Sequence, residues 1–127
     1  MTVLIDSWAW IEYFGGTRDG ERAGPHIEDG ADAIVSAVNV AEIYRWFLRK
    51  RGRDDADRAL RFVRSRCDIV PLTEPLAVEA ARIRHEHGWG LGDSIVYATA
   101  RAKKAELVTG DPDFRDVPGV RFIGPRA

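Results

Sequence analysis

Four acidic residues, widely separated in the chain, occupy positions that a parallel α/β fold would bring to one edge of its sheet: Asp6, Glu42, Asp93 and Asp111. Asp6 follows the apolar run Val3–Ile5, and Asp111 follows the run that ends at Val108. Carboxylates gathered in this way repel one another and favour a bound cation. All-oxygen ligand sets suit hard ions such as Mg²⁺ or Mn²⁺. The pattern therefore indicates metal-assisted chemistry, of which phosphodiester hydrolysis is a common example.

Each of these acids also has a purely structural interpretation. Asp6 and Asp93 each precede a predicted helix, where aspartate is a favoured N-cap. Glu42 lies one turn into another helix, where the helix dipole favours an acid, and Asp111 lies in a turn-rich segment. The structural interpretation is the better one for any single acid. Four acids at one sheet edge favour a shared function.

Polar residues close to the acids could orient them by hydrogen bonds or contribute through water: Ser7, Asn39, Thr109 and Asp113. Asn39 precedes Glu42 by three residues, so both lie on one face of a helix. The alternative role of these residues is ordinary hydrogen bonding in helices and turns.

The elements that must position the acids alternate between strand and helix. Apolar runs predict strands at 3–5, 33–36, 68–72, 107–108 and 120–123. Helices are predicted at 7–14, 37–51, 54–65, 75–87 and 93–103, with a weak helix at 20–28 because Pro25 lies inside it. This alternation predicts an α/β fold with a central parallel sheet of four to five strands flanked by helices, as one domain over residues 1–127. In such sheets ligands bind beyond the carboxyl ends of strands, where the strand order reverses.

Composition narrows the class of protein. Hydrophobic residues make up 45% of the 127 residues, enough for one core, and no apolar run approaches the roughly 20 residues that span a bilayer. The start of the chain has no pattern of a secretory signal, and Cys67 is the single cysteine. We therefore expect a cytoplasmic protein without internal disulfides or membrane association.

The formal net charge of −1 conceals a basic region between Arg45 and Arg66. Such a region could attract a polyanion, although a solvated, salt-bridged helix face is an equally good explanation. Aromatic residues crowd two helices early in the chain, beside Arg45 and Arg49: Trp8, Trp10, Tyr13, Phe14, Tyr44, Trp46 and Phe47. Core packing explains most of them, but such a surface could also accept an amphipathic partner helix.

Four segments that contain these acids resemble PIN-domain nucleases, and among them the VapC-type toxins of toxin–antitoxin pairs. The segments are 5–11, 36–43, 91–100 and 107–114, and they occur in the order found in the family. The resemblance covers nearly the whole chain.

The resemblance implies a catalytic Mg²⁺ or Mn²⁺ site of an endoribonuclease, formed by Asp6, Glu42, Asp93 and Asp111. It marks Asp6 and Asp93 as direct ligands, and Asp113 matches a frequent acid of the family. It also implies RNA products with a 5′-phosphate and a 3′-hydroxyl, a cognate antitoxin and a homodimer. Arg45 and Arg49 are the candidates for substrate binding.

Two alternatives remain open. The motif His85-Glu86-His87 could indicate acid–base ribonuclease chemistry or a zinc site, but its two histidines point roughly 200° apart on a helix. A catalytically silent RNA-binding or interaction module on the same scaffold is the second alternative, and the intact set of acids argues against it.

Overall fold

The computed structural model of the protein describes residues 1–29 and 32–125. Within these residues the strands are β1 (Val3–Ile5), β2 (Ala33–Ser36), β3 (Asp68–Val70), β4 (Glu106–Thr109) and β5 (Val120–Phe122). The α-helices are α1 (Ser7–Gly15), α2 (Arg18–Glu28), α3 (Ala37–Lys50), α4 (Arg53–Arg66), α5 (Glu74–His87) and α6 (Leu91–Ala102). A short 3₁₀ turn covers Pro112–Phe114. The single domain predicted over 1–127 includes residues 30–31 and 126–127, which lie outside the described residues.

The five strands form one parallel sheet in the order β3-β2-β1-β4-β5, which confirms the predicted fold class. The chain moves outward from β1 to β2 and β3, and then returns to β4 on the other side of β1. The strand order therefore reverses between β1 and β4. Leu4 pairs with Leu107 at this junction, so the carboxyl ends of both strands reach the same edge. Ligands bind at this position in open α/β sheets.

The central strands are buried on both faces, as their continuous apolar sequences predict. Val3 and Ile5 contact the core under helices α1 to α4, whereas Leu4 faces the core under α5 and α6. The sheet therefore lies between two helical layers. This packing on both sides holds the carboxyl ends of β1 and β4 in place.

Helix α2 is longer than the weak helix predicted at 20–28. It begins at Arg18, because the Thr17 hydroxyl accepts a hydrogen bond from the Gly20 amide at 3.0 Å and caps the helix. A Cβ atom on Gly20 would lie 2.2 Å from the backbone oxygen of Glu12. Helices α1 and α2 therefore cross where only glycine fits, and Pro25 is accommodated within α2.

Two other boundaries differ from the prediction in ways that concern the site. Strand β3 ends at Val70 instead of residue 72, because Pro71 has no amide to continue the ladder. Helix α6 begins at Leu91 with Gly90 as its N-cap, so Asp93 lies within the first turn and does not open the helix. In the described part of the chain, no helix has the length and apolar character needed to cross a bilayer.

Candidate active site

Asp6 is at the centre of the site, between the end of β1 and the start of α1. Its backbone occupies the N-cap position of α1, but within the described residues its carboxylate makes no capping hydrogen bond. Instead, Oδ1 accepts from Asn39 Nδ2 at 3.0 Å and Oδ2 accepts from Thr109 Oγ1 at 2.7 Å. The carboxyl group is therefore held toward the sheet edge, and the capping interpretation of this side chain is wrong.

Burial is the main reason why the pKa of Asp6 is raised from 3.8 to about 6. The hydrogen bond from Thr109 opposes this rise, while the negative charges of Glu42 and Asp111 add to it. Only 4% of the residue is exposed. The fold therefore keeps an acid at this position although it disfavours the charged form.

Asn39 is oriented by the cap of helix α3. Its Oδ1 accepts from the Ser36 amide at 3.0 Å, while the Ser36 hydroxyl accepts from the Val38 amide at 3.1 Å. Because this capping box uses the amide oxygen of Asn39, the amide nitrogen points at Asp6. Ser36 was not among the predicted site residues, although its spacing of three residues from Asn39 is the signature of such a box.

Glu42 is linked to Asp6 through Ser7. The Ser7 hydroxyl donates to Glu42 Oε1 at 2.8 Å, and it lies 3.5 Å from Asp6 Oδ1. A Cβ atom on Gly92 would lie 3.6 Å from Glu42 Oε2, so the first turn of α6 approaches the same carboxylate. Helix α3 and helix α6 thus meet at Glu42.

Asp93, Asp111 and Asp113 form the tightest group of carboxylates, with one oxygen from each lying within 4.8 Å of the others. Burial raises the pKa of Asp93 to about 7, and the charges of Asp111 and Asp6 add to the rise. A hydrogen bond with Asp113 acts in the same direction. The structure therefore brings Asp93 into electrostatic contact with acids from β1 and from the segment after β4.

Asp111 is positioned by local turn geometry. Its amide donates to Thr109 Oγ1 at 3.1 Å, and its Oδ1 accepts from the Asp113 amide at 3.0 Å, which caps the 3₁₀ turn. The turn interpretation is therefore correct for one oxygen of Asp111. Thr109 contacts both Asp6 and Asp111, so one hydroxyl fixes the spacing between the two segments.

The donor set fits a hard divalent cation. The charged groups that raise the pKa values of Asp6 and Asp93 are all carboxylates. The neighbours that hold Asp6 are a neutral amide and a neutral hydroxyl, which orient its charge without cancelling it. Carboxylate oxygens are the ligands that Mg²⁺ and Mn²⁺ prefer. This arrangement could hold such an ion at the reversal point of the sheet.

Arg45 and Arg49 are exposed and lie one turn apart on α3. Together with Glu42, Ile11, Ala41 and Trp46 they line an open cleft of about 320 Å³. The two predicted substrate-binding residues therefore do not join the group of acids, but they share a cleft with one of its members.

The two histidines of the His85-Glu86-His87 motif lie in different surroundings. His85 lines a cleft with Arg84 and Leu91, whereas the His87 ring stacks on Trp89 with a centroid distance of 4.2 Å. Among residues 1–29 and 32–125, the one group of three side chains that could hold a metal is Asp93, Asp111 and Asp113. The structure therefore gives no support to the zinc alternative.

The family model described as PIN domain matches residues 3–120. The chain belongs to the PIN domain family. This confirms the predicted resemblance and explains why the acids follow β1 and β4 of a five-stranded parallel sheet. A search of curated protein sequences gives no match to the chain.

Solved structures of toxin–antitoxin complexes are similar to this PIN domain. A toxin–antitoxin complex from Klebsiella pneumoniae contains a chain with 25% identity and a TM-score of 0.79, covering 98% of this chain and 99% of that one. VapBC2 from Rickettsia felis, bound to a promoter DNA fragment, gives 16% identity, coverage of 96% and 97%, and a TM-score of 0.74. VapC20 from Mycobacterium tuberculosis, a toxin that cleaves the sarcin–ricin loop, gives 17% identity, coverage of 82% and 85%, and a TM-score of 0.68. At these identities the last two show a shared fold.

Proposed function

We propose that this PIN domain is a metal-dependent endoribonuclease and the toxin of a type II toxin–antitoxin pair. The observation that carries the proposal is the convergence of carboxylates at the β1–β4 reversal point, where Asp6 is buried and Asp93 and Asp111 are half-buried. Two of them, Asp6 and Asp93, have pKa values raised by burial and by neighbouring acids. Perturbed pKa values of this kind are concentrated at functional sites. The similarity to toxin–antitoxin complexes supports the biological role.

Asp6, Glu42, Asp93 and Asp111 would hold Mg²⁺ or Mn²⁺, with Asp113 contributing through its contact with Asp93. When bound, the ion would lower the pKa of a water molecule and offset charge that develops on the phosphate oxygens. The residues around it act as supports. Asn39 and Thr109 fix the carboxylate of Asp6, and Ser7 fixes that of Glu42. The carboxylates of Asp6 and Glu42 are thus pre-oriented before substrate arrives.

The proposed substrate is single-stranded RNA, whose unpaired bases and phosphates can enter an open site. Arg45 and Arg49 would bind phosphates in the cleft that includes Glu42. Because the nucleophile would be a water molecule activated by the bound ion, the 2′-hydroxyl is not needed as a nucleophile. We expect products with a 5′-phosphate and a 3′-hydroxyl.

The proposed partners are a cognate antitoxin and a second copy of the chain, in the cytoplasm. A second groove of about 360 Å³ supports the proposal of an antitoxin, because it combines the rings of Phe14, Phe47 and Phe62 with the exposed cation of Arg51. Arg58 lines the same groove and is paired with Asp55 at 2.7 Å. An amphipathic helix with acidic flanks would match this surface. The homodimer rests on the resemblance to VapC-type toxins alone.

The test is cleavage of total RNA by purified, antitoxin-free protein in Mg²⁺, in Mn²⁺ and in EDTA. Asp93→Asn should abolish metal-dependent cleavage while the circular dichroism spectrum stays native and the melting temperature does not fall. The exposed Glu86→Gln variant is the matched control and should cleave normally. Cleavage of a substrate with 2′-deoxyribose at the scissile position should persist. Wild-type cleavage rates in Asp93→Asn, or in EDTA, would refute the assignment, and RNA binding without any cleavage would favour the silent module.

A further inference from the structure

A stack of aromatic rings lies where helix α5 is followed by helix α6, the helix whose first turn carries Asp93. This aromatic stack consists of His87, Trp89, Tyr97 and Phe114. The His87 and Trp89 rings are nearly parallel, with centroids 4.2 Å apart and an interplanar angle of 13°. Trp89 in turn makes edge contacts with Phe114 at 5.0 Å and with Tyr97 at 5.4 Å. The orientation of Trp89 is therefore set from both sides.

The aromatic stack connects the two segments that carry the clustered carboxylates. Trp89 precedes Asp93 by four residues, and Phe114 directly follows Asp113. The backbone oxygen of Trp89 accepts a hydrogen bond from Arg84 Nη1 at 2.8 Å, which anchors the connection between α5 and α6. A ligand bound at Asp93 and Asp113 would therefore lie close to these rings.

Exposure increases outward along the aromatic stack. Phe114 and Tyr97 are buried, Trp89 is half-buried, and His87 is exposed. The outermost ring of the stack is thus the imidazole of His87, held flat against Trp89. A ring that is already ordered in this way loses little conformational entropy when another flat ring stacks on it.

We propose that His87, supported by Trp89, is a stacking platform for one unpaired nucleobase of the RNA, close to the phosphate that is cleaved. This inference rests on the proposed function. Bases stack on aromatic side chains regardless of sequence, because every base has a π-face. The platform is linked to Asp93 through Trp89, four residues earlier in the chain, and to Asp113 through the contact of Trp89 with Phe114. The cleft of Arg45 and Arg49 includes Glu42 instead, so the two surfaces are linked to different acids of the site.

The experiment compares wild type, His87→Ala, His87→Phe and His85→Ala on a short RNA that the protein cleaves. His85 is the matched control, because it is an exposed histidine two residues away on α5 that lines a cleft with Arg84 and Leu91. His87→Ala should raise KM roughly 5- to 150-fold with kcat little changed, the range that corresponds to about 1–3 kcal/mol for one stacked base. His87→Phe should restore most of the loss, since phenylalanine keeps the flat ring, and His85→Ala should stay within about twofold.

RNAs with a single abasic nucleotide locate the base. At one position near the scissile phosphate, removing the base should raise the KM of wild type as much as His87→Ala does. The same abasic RNA should not raise the KM of the His87→Ala protein any further. The platform would be overturned if His87→Ala and His85→Ala raised KM equally. It would also be overturned if His87→Phe, with a native melting profile, failed to restore KM. The platform would also be overturned if, at every abasic position, the effects of the missing base and of His87→Ala on KM were fully additive in free energy.

Fluorescence anisotropy in the Asp93→Asn background, which should bind RNA without cutting it, separates this inference from the proposed function. Loss of affinity in His87→Ala alone supports the platform even if wild type proves unable to cleave. Normal metal-dependent cleavage with equal affinities for all His87 variants overturns the platform and leaves the nuclease intact.

Discussion

Replacing Asp6 with asparagine should stabilise the metal-free protein at pH 8, although it removes a proposed metal ligand. Burial and neighbouring charges raise the pKa of Asp6 from 3.8 to about 6. At 1.36 kcal/mol for each pKa unit, ionising this carboxyl in the folded protein costs about 3 kcal/mol. Asparagine has one acceptor oxygen, so it gives up one of the bonds donated by Asn39 and Thr109, at a cost of about 1 kcal/mol. The expected net gain in the free energy of unfolding is about 2 kcal/mol.

The sign of the pH dependence follows from the direction of the shift. Between pH 3.8 and about 6 the folded protein binds more protons at Asp6 than the unfolded chain does. The stabilisation that the folded protein gains by keeping Asp6 protonated is therefore fully present at low pH, and it is lost as the pH rises through about 6. Asp93, with a pKa of about 7, acts in the same direction. The advantage of Asp6→Asn should thus fall to near zero at pH 4.5.

Urea denaturation followed by circular dichroism at pH 4.5, 6 and 8 in EDTA measures these differences, and Glu86→Gln serves as the exposed-acid control. Mg²⁺ at pH 8 should reverse the order of stability. A ligand present at 100 times its Kd stabilises wild type by about 2.7 kcal/mol, and Asp6→Asn should gain far less. An Asp6→Asn protein that is less stable than wild type at pH 8 in EDTA would refute the reasoning. A difference that does not change with pH would do the same.

Three further predictions follow from contacts in and around the site. Gly110→Ala would place a Cβ atom 2.3 Å from the Trp8 ring. Thermal denaturation should therefore show a free energy of unfolding that is lower by about 1–3 kcal/mol, and the rate of cleavage should fall because Asp111 shifts. Asn39→Ala removes the bond from the Ser36 amide, which is one half of the capping box of α3, and a bond to the buried carboxylate of Asp6. It should lower the free energy of unfolding in urea by about 2–3 kcal/mol, and a loss below about 0.5 kcal/mol would contradict the capping-box role. Arg45→Ala and Arg49→Ala should raise KM for RNA without changing kcat, and each should reduce the salt dependence of binding by roughly 0.7 in log–log slope. An unchanged slope would remove these arginines from the RNA path.

The order of strands and helices could be predicted because it depends on local apolar patterns. The strand predicted at 33–36 and the helix predicted at 37–51 agree with β2 and α3 to within one residue. Helix α2 was harder to delimit. Pro25 weakens the local pattern, whereas the contact between Gly20 and the Glu12 carbonyl, which shows how α2 fits against α1, is tertiary and invisible in the sequence.

The convergence of the acids could be predicted from topology, but the use of each oxygen could not. Both oxygens of Asp6 accept hydrogen bonds, and one oxygen of Asp111 caps a turn. The tightest cluster therefore includes Asp113 instead of Asp6. The direct-ligand role of Asp6 stays a prediction, because these contacts depend on rotamers that the strand–helix pattern does not specify.

The neutral character of the supporting residues is an argument for a cation at this site. A carboxylate buried for structure alone is usually paired with lysine or arginine, because an uncompensated charge is costly. Here Asn39, Thr109 and Ser7 hold the acids through an amide and hydroxyls, which leave the negative charge in place. The fold thus carries a cost of about 3 kcal/mol at Asp6 at neutral pH. A site that recruits a cation from solution would remove this cost on binding, and it would do so only when the acids are ionised. Metal binding and folding stability should therefore be coupled, with the coupling largest above pH 7 and weak below pH 5.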